Sequence, residues 1–231
     1  MRRLVIDCAT DACSVALFDD RTLLGGDYRE LGRGHAEALV PMIAALPGKG
    51  RGDLIAVSLG PGSFTGVRVG IAAARALGLA WKIAVFGYPT LALVAAQGRA
   101  ARGPEPMTQP MTQPMTQPMT AAMTVAMTVA MTGGHGEWFM QEFDAAGDPA
   151  TALASLSPET AAGTARWEHI AGSQAEALAA LRGHGMAHSL LPDARQFWLL
   201  PQHLLTRDVT PIYGRAPDAR LPGSPAPVTP A

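Results

Sequence analysis

Short apolar runs and longer amphipathic stretches alternate along the first half of the chain. The short runs end in turn residues, as strands do, whereas the longer stretches carry apolar residues at helical spacing. The predicted strands are 4–9, 13–19, 23–30, 54–59 and 83–87, and the predicted helices are 34–46, 64–81 and 89–98. In chain order these elements are β-β-β-α-β-α-β-α, which is the order of a ribonuclease-H-like domain.

A weaker version of the same order follows in the second half. The predicted strands are 129–133, 137–143, 150–156, 169–172 and 186–191, and the predicted helices are 157–163, 173–185 and 193–205. Ser157 is suited to cap the first of these helices, with Pro158 in its first turn. Two successive units predict an α/β protein with the actin-like ATPase fold, built from two ribonuclease-H-like βββαβαβα domains.

A low-complexity tract separates the two units. Tetrads that begin with methionine repeat from Met107 to Met131, and the first three read MTQP. A proline at every fourth position excludes a regular helix or a central strand, so we interpret the tract as a linker grown by repeat expansion, with a methionine-rich copper site as the alternative. The predicted parts are a first domain at 1–102, a linker at 103–125, a second domain at 126–213 and a proline-rich tail at 214–231.

Composition narrows the function classes. Hydrophobic residues make up 48% of the chain, which is enough to bury a sizeable core. The formal net charge is −1, which argues against a protein that binds nucleic acid without a partner. No apolar run is long enough to predict a membrane span, and the N-terminus lacks the pattern of a secretory signal. The two cysteines, Cys8 and Cys13, are too few for a disulfide framework. We therefore expect a cytoplasmic, reduced protein in which both cysteines are small core or hairpin residues, with a zinc site as the alternative.

The glycine-rich stretch GPGSFTGVRVG occupies residues 60–70, between a predicted strand and a predicted helix. It lacks the lysine of a P-loop, the glycine spacing of a dinucleotide fingerprint and the G-x-S-x-G of a nucleophile elbow. The pattern predicts a strand-to-helix joint, in which Ser63 or Thr65 caps the helix.

The helix that follows carries a small residue at every fourth position, namely Gly66, Gly70, Ala74 and Gly78. Glycine inside a helix costs about 1 kcal/mol relative to alanine, so the stripe predicts close approach of another backbone. Two interpretations stay open, which are packing against the sheet of the same domain and a seam for a helix of another chain.

Four segments together resemble the TsaB (YeaZ) family. They are IDCATDACSVAL near the N-terminus, HAEALVPMI, GPGSFTGVRVG and the closing PIYGRAPDAR, and the resemblance covers nearly all of the chain except the methionine tract and the last residues. It implies an accessory, non-catalytic role in making threonylcarbamoyladenosine, the base next to the anticodon in tRNAs that read codons beginning with A. In that pathway TsaC makes threonylcarbamoyl-adenylate and TsaD transfers the group to tRNA.

The resemblance also implies partners. These are TsaD in a heterodimer and the ATPase TsaE, with a homodimer when TsaD is absent, tRNA contact only through the complex and no membrane. The implied pairing surface lies on the predicted helices 34–46 and 64–81. Its candidate residues are His35, Leu39, Met42, Gly66, Arg68, Gly70, Ala74 and Gly78.

Asp7, Thr10 and Ser14 lie in the first hairpin, where actin-like ATPases hold phosphate. They are candidates for a vestigial phosphate loop, and a β-turn stabilised by Asp and Thr is the other interpretation. Residues 64–100 contain no histidine for the HxxxH metal pair of TsaD. We expect no catalytic residue, no metal and no tightly bound cofactor, with ATP or ADP held only at the interface with a partner. The alternatives are an ATP-binding actin-like enzyme and an M22 glycoprotease-like peptidase.

Overall fold

A computed structural model describes residues 1–101 and 125–214 of the chain. The predicted linker up to residue 124 and the predicted tail from residue 215 lie outside the described residues. The bounds proposed for the two domains stay a prediction. No helix in the two described ranges is long and apolar enough to cross a membrane.

The first half forms a five-stranded sheet with three helices, as the sequence predicts. Its strands are β1 (Arg2–Asp7), β2 (Ala12–Asp19), β3 (Thr22–Glu30), β4 (Leu54–Ser58) and β5 (Ala84–Tyr88), and its helices are α1 (His35–Ala45), α2 (Phe64–Trp81) and α3 (Thr90–Ala101). The strand order is β3-β2-β1-β4-β5. The first three strands are antiparallel neighbours, whereas β4 and β5 run parallel to β1.

The second half repeats this arrangement. Its strands are β6 (Met127–Thr132), β7 (Trp138–Phe143), β8 (Ala154–Leu156), β9 (His169–Ala171) and β10 (Met186–His188), and its helices are α4 (Pro158–Thr164) and α5 (Ala175–Arg182). The strand order β8-β7-β6-β9-β10 matches that of the first sheet. The predicted α/β architecture with two ribonuclease-H-like sheets is therefore confirmed.

The predicted helix 193–205 is wrong. The chain forms two short 3₁₀ helices there, Ala194–Leu199 and Gln202–Leu204, and Pro201 between them lacks the donor that a continuous α-helix needs. The segment then returns to the first sheet, where the Ile212 N–H donates to the Leu59 carbonyl at 2.7 Å.

Helix α3 lies between the two sheets. Ten of its twelve residues are buried, which is typical of a helix that is covered on all sides. Its Leu91 and Leu93 belong to one core cluster with Val5 of the first sheet and Val129 and Phe143 of the second. Helices α1 and α2 cover the opposite face of the first sheet, so the two sheets share the core around α3 and the first sheet has a second core of its own.

Candidate functional site

The GPGSFTG segment is the joint between β4 and α2. The Ser63 side chain accepts a hydrogen bond from the Gly66 N–H at 3.2 Å and caps the helix. Upstream, the Gly60 N–H donates to Thr90 Oγ1 at 3.1 Å, and the Thr90 N–H donates to the Gly60 carbonyl at 2.9 Å. The predicted strand-to-helix joint with a Ser63 cap is confirmed.

Two glycines allow the start of α2 to rest directly on the turn between β1 and β2. The Ser63 N–H donates to the Ala9 carbonyl at 2.6 Å. A Cβ added to Gly62 would lie 1.8 Å from the Ala9 carbonyl oxygen, and one added to Gly66 would lie 2.1 Å from the Cys8 carbonyl oxygen. Only glycine allows this close contact between backbones.

The rest of the small-residue stripe on α2 faces the same sheet. A Cβ on Gly70 would lie 3.6 Å from Val57, one on Gly78 would lie 2.5 Å from Val85, and Ala74 is fully buried. The hypothesis that the stripe is a groove for a helix of another protein is wrong. Small residues allow a helix to approach a sheet as closely as they allow it to approach a second helix, and the spacing alone does not distinguish the two.

Three other candidates for the partner surface also face inward. His35 is 7% exposed, and its Nε2–H donates to the Thr10 carbonyl at 2.8 Å. Leu39 and Met42 are buried in the core beneath α1. Their assignment to a partner surface is wrong, because the apolar face of α1 covers its own sheet. Arg68 is exposed at the start of α2.

Asp7 is enclosed at the end of β1. Its carboxylate accepts hydrogen bonds from the Ala9 N–H and from the Tyr88 hydroxyl, both at 3.0 Å. Complete burial raises the pKa of Asp7 to about 6, although hydrogen bonds from Ala9, Tyr88 and Ser58 oppose the rise. All of these contacts are internal, so the carboxylate does not face an open phosphate site.

Ser14 is enclosed as well. Its Oγ accepts a hydrogen bond from the Ala194 N–H at 2.9 Å, which joins β2 to the first 3₁₀ helix of the segment that returns from the second domain. Thr10 Oγ1 accepts a hydrogen bond from the Ala12 N–H at 3.3 Å and lines a cavity. Of the three residues predicted as a vestigial phosphate loop, only Thr10 borders open space.

That cavity, of about 660 Å³, lies between the two domains. Four segments contribute most of its walls, which are 9–11 in the β1–β2 turn, 62–68 at the start of α2, 131–135 in the β6–β7 turn and 212–214 in the returning segment, and Phe139, Ser173 and Leu191 complete them. Its volume is in the range of small-molecule sites. The walls are largely apolar, with Asp11, Arg68 and His135 as their ionisable residues.

An aromatic and cationic cluster stands at the cavity. The Arg68 guanidinium lies 3.5 Å from the centroid of the Phe64 ring, and its Nε–H donates to the Tyr213 hydroxyl at 3.0 Å. Phe64 is 58% exposed and Tyr213 is 45% exposed. This arrangement can hold a partner by stacking and apolar contact. In the described ranges, no group of three or more His, Cys, Asp and Glu residues could hold a metal ion.

Sequence reasoning missed Tyr88 and Tyr213. The Tyr88 hydroxyl, at the end of β5, donates a hydrogen bond to the Asp7 carboxylate. No spacing pattern indicates a contact between residues so far apart in the chain. Tyr213 belongs to PIYGRAPDAR, which contributes to the family resemblance, but that motif does not indicate that its ring meets Arg68 and Phe64.

Comparison with known proteins identifies the family. A sequence model described as TsaD, tRNA N6-adenosine threonylcarbamoyltransferase, matches residues 29–180, which is more than half of the chain. The chain belongs to the family that this model describes.

Individual relatives confirm the predicted resemblance to TsaB (YeaZ). The tRNA threonylcarbamoyladenosine biosynthesis protein TsaB of Escherichia coli is 41% identical over 103 residues, which cover 42% of this chain and 44% of that protein. The TsaB of Haemophilus influenzae is 37% identical over 101 residues, covering 40% of this chain and 41% of that protein. The chain thus spans less than half the length of these curated relatives.

Solved structures match over almost the whole chain. YeaZ from Pseudomonas aeruginosa superposes with a TM-score of 0.69 at 24% identity, covering 92% of this chain and 99% of that one. A protein from the same organism, described as uncharacterized with similarity to peptidase YeaZ, superposes with a TM-score of 0.71 at 26% identity. The superposition covers 93% of this chain and 99% of that one. At these identities the superpositions support the two-domain fold.

Proposed function

We propose that this chain is an accessory, non-catalytic subunit in the biosynthesis of tRNA threonylcarbamoyladenosine. It pairs with TsaD and acts with TsaE in the transfer of the threonylcarbamoyl group to the adenosine next to the anticodon, in tRNAs that read codons beginning with A. The observation that carries the proposal is the 41% identity to TsaB of Escherichia coli over 103 residues.

The state of Asp7 supports the non-catalytic part of the proposal. A carboxylate that binds the phosphates of ATP through a metal ion needs free oxygen lone pairs and access from the cleft. Asp7 is completely buried, and burial favours its protonated form. In this conformation it is a structural residue of the hairpin.

The outward faces of α1 and α2 are the proposed pairing surface, in place of the buried stripe. Val40 on α1 is 61% exposed and Leu79 on α2 is 82% exposed. The exposed alanines on these helices are Ala36, Ala44, Ala45, Ala72, Ala76 and Ala80. Small side chains allow a partner's helices to approach closely, and the exposed leucine and valine supply apolar area that a partner would bury.

Co-purification with TsaD tests this surface. Leu79→Glu places a charge on this exposed apolar face in the last turn of α2, and we expect TsaD binding to weaken about tenfold or more. Leu181→Glu is the matched control, since Leu181 is a 52% exposed leucine on α5 in the other domain. Unchanged TsaD affinity in Leu79→Glu, with both variants folded, would exclude this surface.

Reconstitution tests the function itself. Threonylcarbamoylation of tRNA by TsaC, TsaD and TsaE is measured with and without this chain, and we expect product only when the chain is present. The same yield without it would contradict the accessory role. ATP turnover by the purified chain alone, lost in Asp7→Ala, would instead support an ATP-using enzyme.

A further inference from the structure

The two cysteines of the chain meet at the turn end of the β1–β2 hairpin. The register pairs Asp7 with Ser14, so Cys8 and Cys13 face each other at the next step towards the turn. Their Sγ atoms are 3.5 Å apart, and both residues are free thiols.

This placement satisfies the geometry of a disulfide bond. Residues directly opposite each other in antiparallel strands have Cα atoms about 4.5–5.5 Å apart, inside the range of about 4.4–6.8 Å that disulfides accept. The sulfur atoms have to approach by about 1.5 Å to reach bonding distance, and rotation about the Cα–Cβ bonds moves them along this path. The backbone of the hairpin does not have to change its register.

The environment distinguishes the two sulfur atoms. The hydrogen bond between the two thiols lowers the pKa of Cys13, although burial and the charges of Asp7 and Asp27 oppose this shift. Arg29, opposite Cys13 on β3, favours its thiolate as well. The same hydrogen bond, together with burial, raises the pKa of Cys8. Cys13 is therefore the better nucleophile of the pair.

Access favours a small oxidant. Both cysteines are 0% exposed, so a bulky disulfide reagent has no direct path to either sulfur. Gly66 and Gly70 on α2 pack against Cys8. Oxidation therefore requires a local opening of the turn and an oxidant as small as hydrogen peroxide.

We propose that Cys8 and Cys13 form a redox modification site, a dithiol that hydrogen peroxide converts into an intramolecular disulfide. The Cys13 thiolate attacks one peroxide oxygen, the O–O bond breaks, and Cys13 becomes a sulfenic acid while hydroxide leaves. The Cys8 sulfur then attacks the Cys13 sulfur, the S–S bond forms and the S–O bond breaks. In sum, the two thiols lose two protons and two electrons, and one peroxide becomes two waters.

The disulfide would act on the turn that supports the start of α2. Residues 9–11 inside the loop line the cavity, and the carbonyls of Cys8 and Ala9 contact Gly66 and Gly62. This site does not depend on the proposed function, because it concerns the chemistry of the hairpin itself.

Mass spectrometry of the peroxide-treated, full-length protein tests the proposal. After denaturation and alkylation, cleavage before Asp7 and Asp11 separates the two cysteines into different peptides. We expect these peptides to be joined, the intact protein to lose the mass of two hydrogen atoms, and dithiothreitol to reverse both changes. Two alkylated, unlinked peptides after millimolar peroxide would overturn the proposal, as would a disulfide between separate molecules.

Single variants test which sulfur reacts first. In Cys8→Ser, dimedone should trap Cys13 as the sulfenic acid, because no second thiol can resolve it. In Cys13→Ser, we expect slower labelling of Cys8, because burial and the charge of Asp7 still raise the pKa of Cys8. Equal labelling rates in the two variants would contradict the assignment of Cys13 as the attacking thiol, and thermal melting verifies that both variants are folded.

Discussion

Gly66→Ala is the sharpest test of how α2 is held. The added Cβ would lie 2.1 Å from the Cys8 carbonyl oxygen, a distance that real Cβ atoms essentially never show. Neither backbone can yield alone, because Cys8 follows a central strand and Gly66 is in the first turn of the helix. Overpacking of this kind costs about 3 kcal/mol, whereas alanine in place of a helical glycine gains about 1 kcal/mol. We expect a net loss of about 2 kcal/mol.

Gly70→Ala is the matched control, one turn further along the same stripe. Its Cβ would meet Cys8, Val57 and Ile6 at 3.5–3.8 Å, which is ordinary van der Waals contact. No steric clash offsets the gain in helix propensity, so we expect this variant to be about 1 kcal/mol more stable than the wild type. Equilibrium urea unfolding measures both free energies, and the midpoint of thermal unfolding should fall by about 4–8 °C for Gly66→Ala.

The comparison of the two variants decides between packing on the chain's own sheet and a seam for another protein. If the stripe faces the sheet, Gly66→Ala loses stability while Gly70→Ala retains both stability and TsaD binding. Wild-type stability in Gly66→Ala, together with loss of TsaD binding in a folded Gly70→Ala, would refute this reasoning.

Two further predictions concern the buried carboxyl group of the first hairpin. Burial raises the pKa of Asp7 from 3.8 to about 6, so the folded chain holds this proton more tightly than the unfolded chain, and the stabilisation present below pH 4 is lost as the pH rises through 6. The loss is about 2 kcal/mol between pH 4 and pH 7, and the free energy of unfolding of Asp7→Asn should lack this part of the pH dependence. Parallel stability curves for the variant and the wild type would contradict this prediction. Tyr88→Phe removes the hydroxyl that donates to Asp7 and should cost about 1–3 kcal/mol, with the larger loss above pH 6, where the carboxylate is charged. Chemical denaturation at pH 4.5 and pH 7.5 measures the difference, and an equal cost at both values would separate Tyr88 from the ionisation of Asp7.

Local patterns were sufficient to predict the first domain. Strands and helices there follow directly from apolar runs, helical spacing and a cap such as Ser63, which are properties of neighbouring residues. The element that packs against a glycine stripe cannot be predicted from neighbouring residues, because it depends on the tertiary fold. The contact between Ser14 and Ala194 joins residues 180 positions apart, and no pattern in either segment indicates it. The contact between Cys8 and Cys13 is intermediate in predictability, because it follows from the register of the hairpin but not from the sequence pattern alone.

The returning segment bears on whether the two domains can move as an enzyme's domains do. After the second sheet, Ala194 bonds to Ser14, Thr206 exchanges two hydrogen bonds with Gly87, and Ile212 bonds to Leu59. Between these contacts, an aromatic cluster buries Phe197 against residues of the first sheet. A hinge that opened the cleft would expose part of the core around α3, which both sheets share. The cost of that exposure favours a chain that presents fixed helix faces to a partner over one that closes around a substrate.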